Sequence, residues 1–198
     1  MRRLHSHRSL TSFCLLAAVA TPVLAFAAQI AAAPFYPGYS FTLLSGSMLG
    51  THFSRHPWIF NTGELLTGIA ALAAALGLYR SFRGRTNILV SGLIGFSIAC
   101  IGVMTVKASL FPLPDPRHNS WGVLFDFMLI TPHLMLIGLW KKGQSPGLRT
   151  FLLGTIVFLL LLIPFAPSLG RGTLQRFLDA AILVPVGVVG FVFRRELH

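Results

Sequence analysis

Residues 87–110 read NILVSGLIGFSIACIGVMTVKASL and carry a single charged side chain, Lys107. An apolar run of this length matches what an α-helix needs to cross the hydrocarbon of a bilayer. Five further stretches share that character: Leu10–Ala33, Ile59–Tyr79, Trp121–Trp140, Thr150–Leu169 and Phe177–Phe193. Between them lie segments rich in Pro, Gly and charge, namely PFYPGYS, RSFRGR, FPLPDPRHNS, KKGQSPGLR and GRGTLQR. The alternation predicts an all-α fold: one transmembrane domain over residues 1–198, built as a bundle of six transmembrane helices.

Composition agrees. Hydrophobic residues make up 54% of the chain and charged residues 11%, with a mean hydropathy of +0.74. A soluble domain would carry about a quarter charged residues. The net charge of +11 sits in short clusters at the ends of apolar runs. That pattern points to topology signals and contacts with anionic membrane lipids rather than to a nucleic-acid-binding face. Cys14 and Cys100 both fall inside apolar runs, and their spacing suits neither a CxxC pair nor a metal site.

Counting Lys and Arg on alternate sides of the six segments sets the orientation. The side holding both termini and the RSFRGR and KKGQSPGLR joins has most of the 16 basic residues; the other has only Arg55, Lys107, Arg117, Arg171 and Arg176. The positive-inside rule then puts both termini in the cytoplasm of a bacterial cell, with the protein in the inner membrane. The basic, apolar N-terminus also has the look of a signal peptide. Its apolar run is long enough to span, so it is read as a retained first helix. Residues 34–58 combine Phe35, Tyr36, Tyr39, Phe41 and Trp58 with Leu43, Leu44, Met48 and Leu49. Such a mixture predicts a short helix lying at the interface in the first periplasmic loop. Small residues at four-residue spacing (Ser91, Gly95, Ala99; Ala70, Ala74; Ala73, Gly77) mark the faces where helices approach closely, and Pro132, Pro164, Pro167 and Pro185 are expected to kink or end their helices.

Charged side chains inside a span are costly, at about 2.5–3.5 kcal/mol near the centre. Four occur here: Glu64, Lys107, Asp126 and Asp179, all near the outer ends of their segments. Glu64, Lys107 and Asp126, together with Asn61, Asp115, His118 and His133, outline a polar pocket facing the periplasm. Lys107 could also pair with Glu64 or Asp126 and simply lock three helices together. His52, His56, His118 and Asp115 supply ligand types that zinc takes, yet HExxH and GxSxG signatures are absent and no catalytic residue is assigned.

The stretch from Ser45 to His118 resembles a bacterial membrane family known as domain of unknown function 998. The resemblance is carried by Ser47-Met48-Leu49-Gly50, Pro57, Phe60-Asn61-Thr62-Gly63, Gly68, Leu76-Gly77-Leu78-Tyr79, Phe111-Pro112, Asp115 and His118. It implies about six helices and draws attention to Asn61, Asp115 and His118; it brings no activity. The expected function is non-enzymatic: binding or moving a small or lipidic molecule, or serving as an accessory subunit beside other membrane proteins, without a cofactor. The rival expectation is a metal-dependent, membrane-embedded hydrolase or transferase acting on lipid.

Overall fold

The computed structural model describes residues 2–140 and 145–197, with side chains from residue 8 onward; Lys141 and Lys142, which entered the charge count, lie outside them. The described residues contain no strand and seven α-helices: α1 (Arg2–Ala32), α2 (Pro57–Arg83), α3 (Ile88–Leu110), α4 (Gly122–Leu129), α5 (Thr131–Gly138), α6 (Pro146–Phe165) and α7 (Arg171–Arg195). Five are long and apolar enough to cross a membrane: α1, α2, α3, α6 and α7.

The remaining expected span, Trp121–Trp140, is not one helix. It divides into α4 and α5, each of 8 residues and too short to cross alone. The break is chemical. Pro132 sits in the first turn of α5, where it has no amide proton to continue the ladder toward α4. Ile130 ends one helix and begins the next at φ −83°, ψ −2°. Pro22 and Pro185, by contrast, lie within intact helices.

Close packing of α1, α2, α3 and α7 depends on glycine. A methyl group on Gly68 would lie 2.8 Å from the Gly102 carbonyl oxygen, and one on Gly102 would lie 2.8 Å from the Gly68 carbonyl. At this crossing α2 and α3 therefore touch backbone to backbone. Gly63 and Gly77 press likewise on Ala28 and Cys14 of α1, and Gly187 and Gly190 of α7 press on Pro22 and Ala18. The small-residue spacing accordingly lands Gly77 against α1 and Gly95 beside Tyr79 of α2. The outermost helix is α6, which packs only on α5 and α7 and is mostly exposed.

At one end of the bundle, Arg85 forms an ion pair with Glu196 and lies 4.0 Å from the centre of the Phe193 ring. At the other end, residues 33–56 fold back as a strap. They form two short 3₁₀ helices, Ala33–Phe35 and Gly46–Gly50, in the segment expected to hold a short interfacial helix, and no α-helix. Pro34 and Pro37 remove donors that a helix would need, and Gly38 takes a left-handed φ of 71°. The strap is nevertheless well anchored. Leu49 is fully buried with Ala32 and Phe60. Arg55 N–H donates to Phe35 O at 2.8 Å, and Thr173 N–H donates to Thr42 O at 3.0 Å. Gly170, just before α7, and Gly172 in its first turn leave the room in which the carbonyls of Phe41, Thr42 and Leu44 settle.

Candidate functional site

Beneath the strap lies a cavity of about 610 Å³, walled by α1, α2, α3, α4 and α7 and capped by Ser47, His118 and Asn119. Its polarity follows depth. Near the strap the wall is polar: Gln29, Glu64, Asp126, Gln175 and Asp179. One or two helical turns further in it becomes mostly apolar, with Ala25, Ile101, Met104, Met128, Ile182 and Leu183 beside the hydroxyls of Thr67 and Thr105. The α4 side is the thinnest wall, since α4 has no buried residue and Gly122, Phe125 and Asp126 are all exposed.

Glu64 of α2 and Asp179 of α7 are close enough for their charges to oppose one another. Gln29 of α1, only 4% exposed, lies beside the Asp179 carboxyl. Arg176, one turn before Asp179, exerts a favourable field on it but directs its donors elsewhere. Its Nη1 donates to Phe41 O at 2.7 Å, Leu44 O at 3.2 Å and Gly172 O at 2.8 Å, while Nη2 bonds the Tyr39 hydroxyl. Burial pushes the Tyr39 hydroxyl pKa up, against the pull of that guanidinium, so the phenol stays protonated at neutral pH. Gln175, one turn from Asp179 on the same face, accepts from the Gly46 N–H at 2.8 Å. The strap is thus fastened to the helix that carries the acid.

The cap is a small hydrogen-bonded clasp. His118 Nδ1 lies 2.9 Å from Phe111 O, and its Nε2 lies 3.2 Å from Ser47 Oγ. Only one tautomer satisfies both: Nδ1–H donates to the carbonyl, and Nε2 accepts from the hydroxyl. Asn61 Nδ2 donates to Gly50 O at 3.1 Å, and a side chain on Gly50 would strike Asn61 Oδ1 at 2.2 Å. The SMLG and FNTG segments therefore meet through these two residues.

Of the sequence-predicted pocket, Glu64, His118 and Asp126 line one cavity; Asn61, Lys107, Asp115 and His133 do not. The expected pairing of Lys107 with a carboxylate is absent. Lys107 is 6% exposed, its ammonium donates to the Ser120 carbonyl and to Ser120 Oγ, and it sits 5.1 Å from the Trp121 ring centre. Trp121 itself holds a left-handed φ of 70°, which is strained for a bulky residue. Asp115 is engaged by Arg117, whose guanidinium and backbone N–H hold the carboxyl down at about 2. His133 Nδ1 is buried without a partner, away from the cavity.

The four residues considered for zinc do not converge on one point. His52 stacks on Phe53 at 4.1 Å and His56 meets Phe35 edge-on at 4.9 Å, while His118 and Asp115 are held as described. Among the described residues no three His, Cys, Asp or Glu side chains converge on a metal-sized site.

Sequence reading left Asp179 out of the pocket and missed Gln29 and Gln175. The four-residue spacing of Gln175 and Asp179 was the available signal for one face. Nothing local to Gln29 shows that α1 packs between α2 and α7.

The model of the family described as protein of unknown function (DUF998) matches residues 19–192. No curated protein matches the chain. No solved structure matches it either.

Proposed function

Because the chain belongs to the DUF998 family of proteins of unknown function, we propose its role from the cavity itself: it is a membrane protein that binds or moves a small amphipathic or lipidic molecule. The observation that carries this reading is the graded cavity, polar toward the strap and apolar toward mid-bundle. Its volume falls within the range of about 300–1,000 Å³ typical of small-molecule sites. A soluble polar metabolite would leave the floor of Ile101, Ile182 and Leu183 unused. A wholly apolar one would leave Glu64 and Asp179 desolvated without compensation.

In this proposal α4 and α5 together make a sixth, broken crossing. Broken helices are tolerated in membranes where they line a cavity, and α4 lines this one. The cavity faces the periplasm of a bacterial inner membrane, as the distribution of Lys and Arg supports, and the thin α4 wall is the side on which a lipid-borne molecule enters.

The test is to extract the protein in polymer-bounded discs of native membrane and identify what co-purifies by mass spectrometry. Thr105→Phe, which projects a ring into the cavity from α3, should expel that molecule while leaving the thermal melting temperature within a few degrees. Retention of the same molecule by Thr105→Phe, or a wild-type protein carrying only bulk lipids in bulk proportions, would refute the reading.

A further inference from the structure

We infer that the molecule taken by this cavity is an amphipathic cation, an organic ammonium whose head sits at the level of Glu64, Asp126 and Asp179 and whose apolar part lies against Ile101, Ile182 and Leu183. The inference rests on the binding reading above and names the ligand class.

The charge pattern is the first ground. The chain has 16 Lys and Arg against 5 Asp and Glu. Three of those five acids, from three different helices, line this one cavity, and no Lys or Arg does. The two flanking basic groups are committed elsewhere. Lys107 donates to Ser120, and Arg176 donates to the carbonyls of the strap and of Gly172. Among the described residues the ion pairs are Arg85–Glu196 and Arg117–Asp115, so none of the described residues forms an ion pair with a cavity acid.

Enclosure is the second ground, and it is independent of charge. Glu64 and Asp179 are not surface acids. They stand within a cavity whose deeper wall is mostly apolar, and the nearly inaccessible Gln29 carboxamide lies beside the Asp179 carboxyl. Phe60 and Phe125 line the same space. Aromatic faces beside carboxylates suit alkylammonium groups, which gain from the ring quadrupole as well as from opposite charge. An anionic head would meet three acids, and a neutral one would leave Glu64 and Asp179 without a counter-charge.

The deciding experiment uses the wild-type protein in phosphatidylcholine nanodiscs and three probes with matched tails: hexyltrimethylammonium, hexanesulfonate and 1-hexanol. Binding is read by equilibrium dialysis, with empty nanodiscs subtracted for partitioning. The cation should bind saturably, one per chain, at least about tenfold more tightly than either other probe. Glu64→Gln combined with Asp179→Asn should weaken cation binding at least about tenfold, or about 1.4 kcal/mol, and leave hexanol unchanged. Should that variant misfold, Asp126→Asn on exposed α4 should still weaken the cation about threefold. Hexanol or hexanesulfonate binding as tightly as the cation, with Thr105→Phe abolishing that binding, overturns the cationic class and leaves the binding reading standing. Unchanged cation affinity in a folded double variant also overturns the class. No saturable binding of any probe overturns both.

Discussion

Replacing Gly68 by alanine places a methyl carbon 2.6 Å from Val106 Cγ2 and 2.8 Å from both the Gly102 carbonyl oxygen and the Val106 amide nitrogen. Ordinary contact begins near 3.4 Å. The Val106 side chain can rotate aside, but the two backbone atoms can retreat only if α3 moves away from α2 by about 0.6 Å. Overpacking of this kind costs about 1–3 kcal/mol, and blockage by backbone argues for the upper half of that range. The better helix propensity of alanine returns up to about 1 kcal/mol. The net loss is then about 1–2 kcal/mol, a fall of roughly five- to thirtyfold in the folded-to-unfolded ratio. Gly92→Ala on α3 is the matched control, since nothing lies within 4 Å of its added methyl, and only the propensity gain of about 0.5–1 kcal/mol remains. Unfolding in mixed micelles with increasing dodecyl sulfate, followed by far-ultraviolet circular dichroism, should move the two midpoints in opposite directions. Because Glu64, Thr67 and Thr105 line the cavity from these two helices, Gly68→Ala should also weaken whatever binds there. Equal stability of the two variants would refute the claim that α2 and α3 are in backbone contact.

Lys107→Met should loosen residues 116–122, seen as hydrogen exchange about tenfold faster there, and adding Glu64→Gln and Asp126→Asn should give no rescue, because Lys107 is held by Ser120 rather than by either acid. Recovery in the triple variant would restore a carboxylate partner. The Asp115 carboxyl is depressed to about 2 from 3.8. The stability it contributes is therefore present above about 3.8 and is lost as pH falls through about 2, so stability stays flat across the neutral range on its account. Aspartate-selective carbon-13 spectra should show Arg117→Ala moving that midpoint up toward 3.8; an unmoved midpoint would discount the ion pair. In a background lacking Cys14 and Cys100, cysteines at Ser40 and Asn119 should react with an impermeant thiol reagent in intact cells, whereas one at Arg83 should be protected. The reverse pattern would invert the proposed orientation.

Long apolar runs make most of this fold legible, because a membrane helix needs only length and apolarity. Five of the six segments appear as single helices; Ile88–Leu110 matches to within one residue, and the others have at least one end shifted by a turn or more, as at Pro57–Arg83 for Ile59–Tyr79. The sixth misled because hydropathy averages over residues and ignores the one missing donor at Pro132. The strap shows the opposite limit. Its aromatic and leucine content signals burial, but its partners are the Thr173 amide, the Gln175 side chain and the guanidinium of Arg176, more than a hundred residues away, which no local pattern carries. The same distance hides the site. Glu64 and Asp126 are conspicuous as charges within apolar runs, yet Asp179 becomes their neighbour only because α7 packs against α1, on the glycines at 187 and 190.

Apolarity and packing run in opposite order along this chain, and that bears on how it is inserted. Of the two long helices best covered by protein neighbours, α2 and α7, α2 has the lowest mean hydropathy of the five, 1.5, and contains Glu64; α6, with the highest at 2.3, is the one least covered by the described residues. A translocon partitions segments by their own apolarity, so α6 enters lipid on its own account. The membrane residence of α2 belongs instead to the assembly: α1 and α3 grip it through Gly63, Gly68 and Gly77 and give Glu64 a cavity in place of hydrocarbon. A glycine lost from α2 therefore acts twice, loosening a helix contact and removing the shelter that lets a charged segment remain in the bilayer.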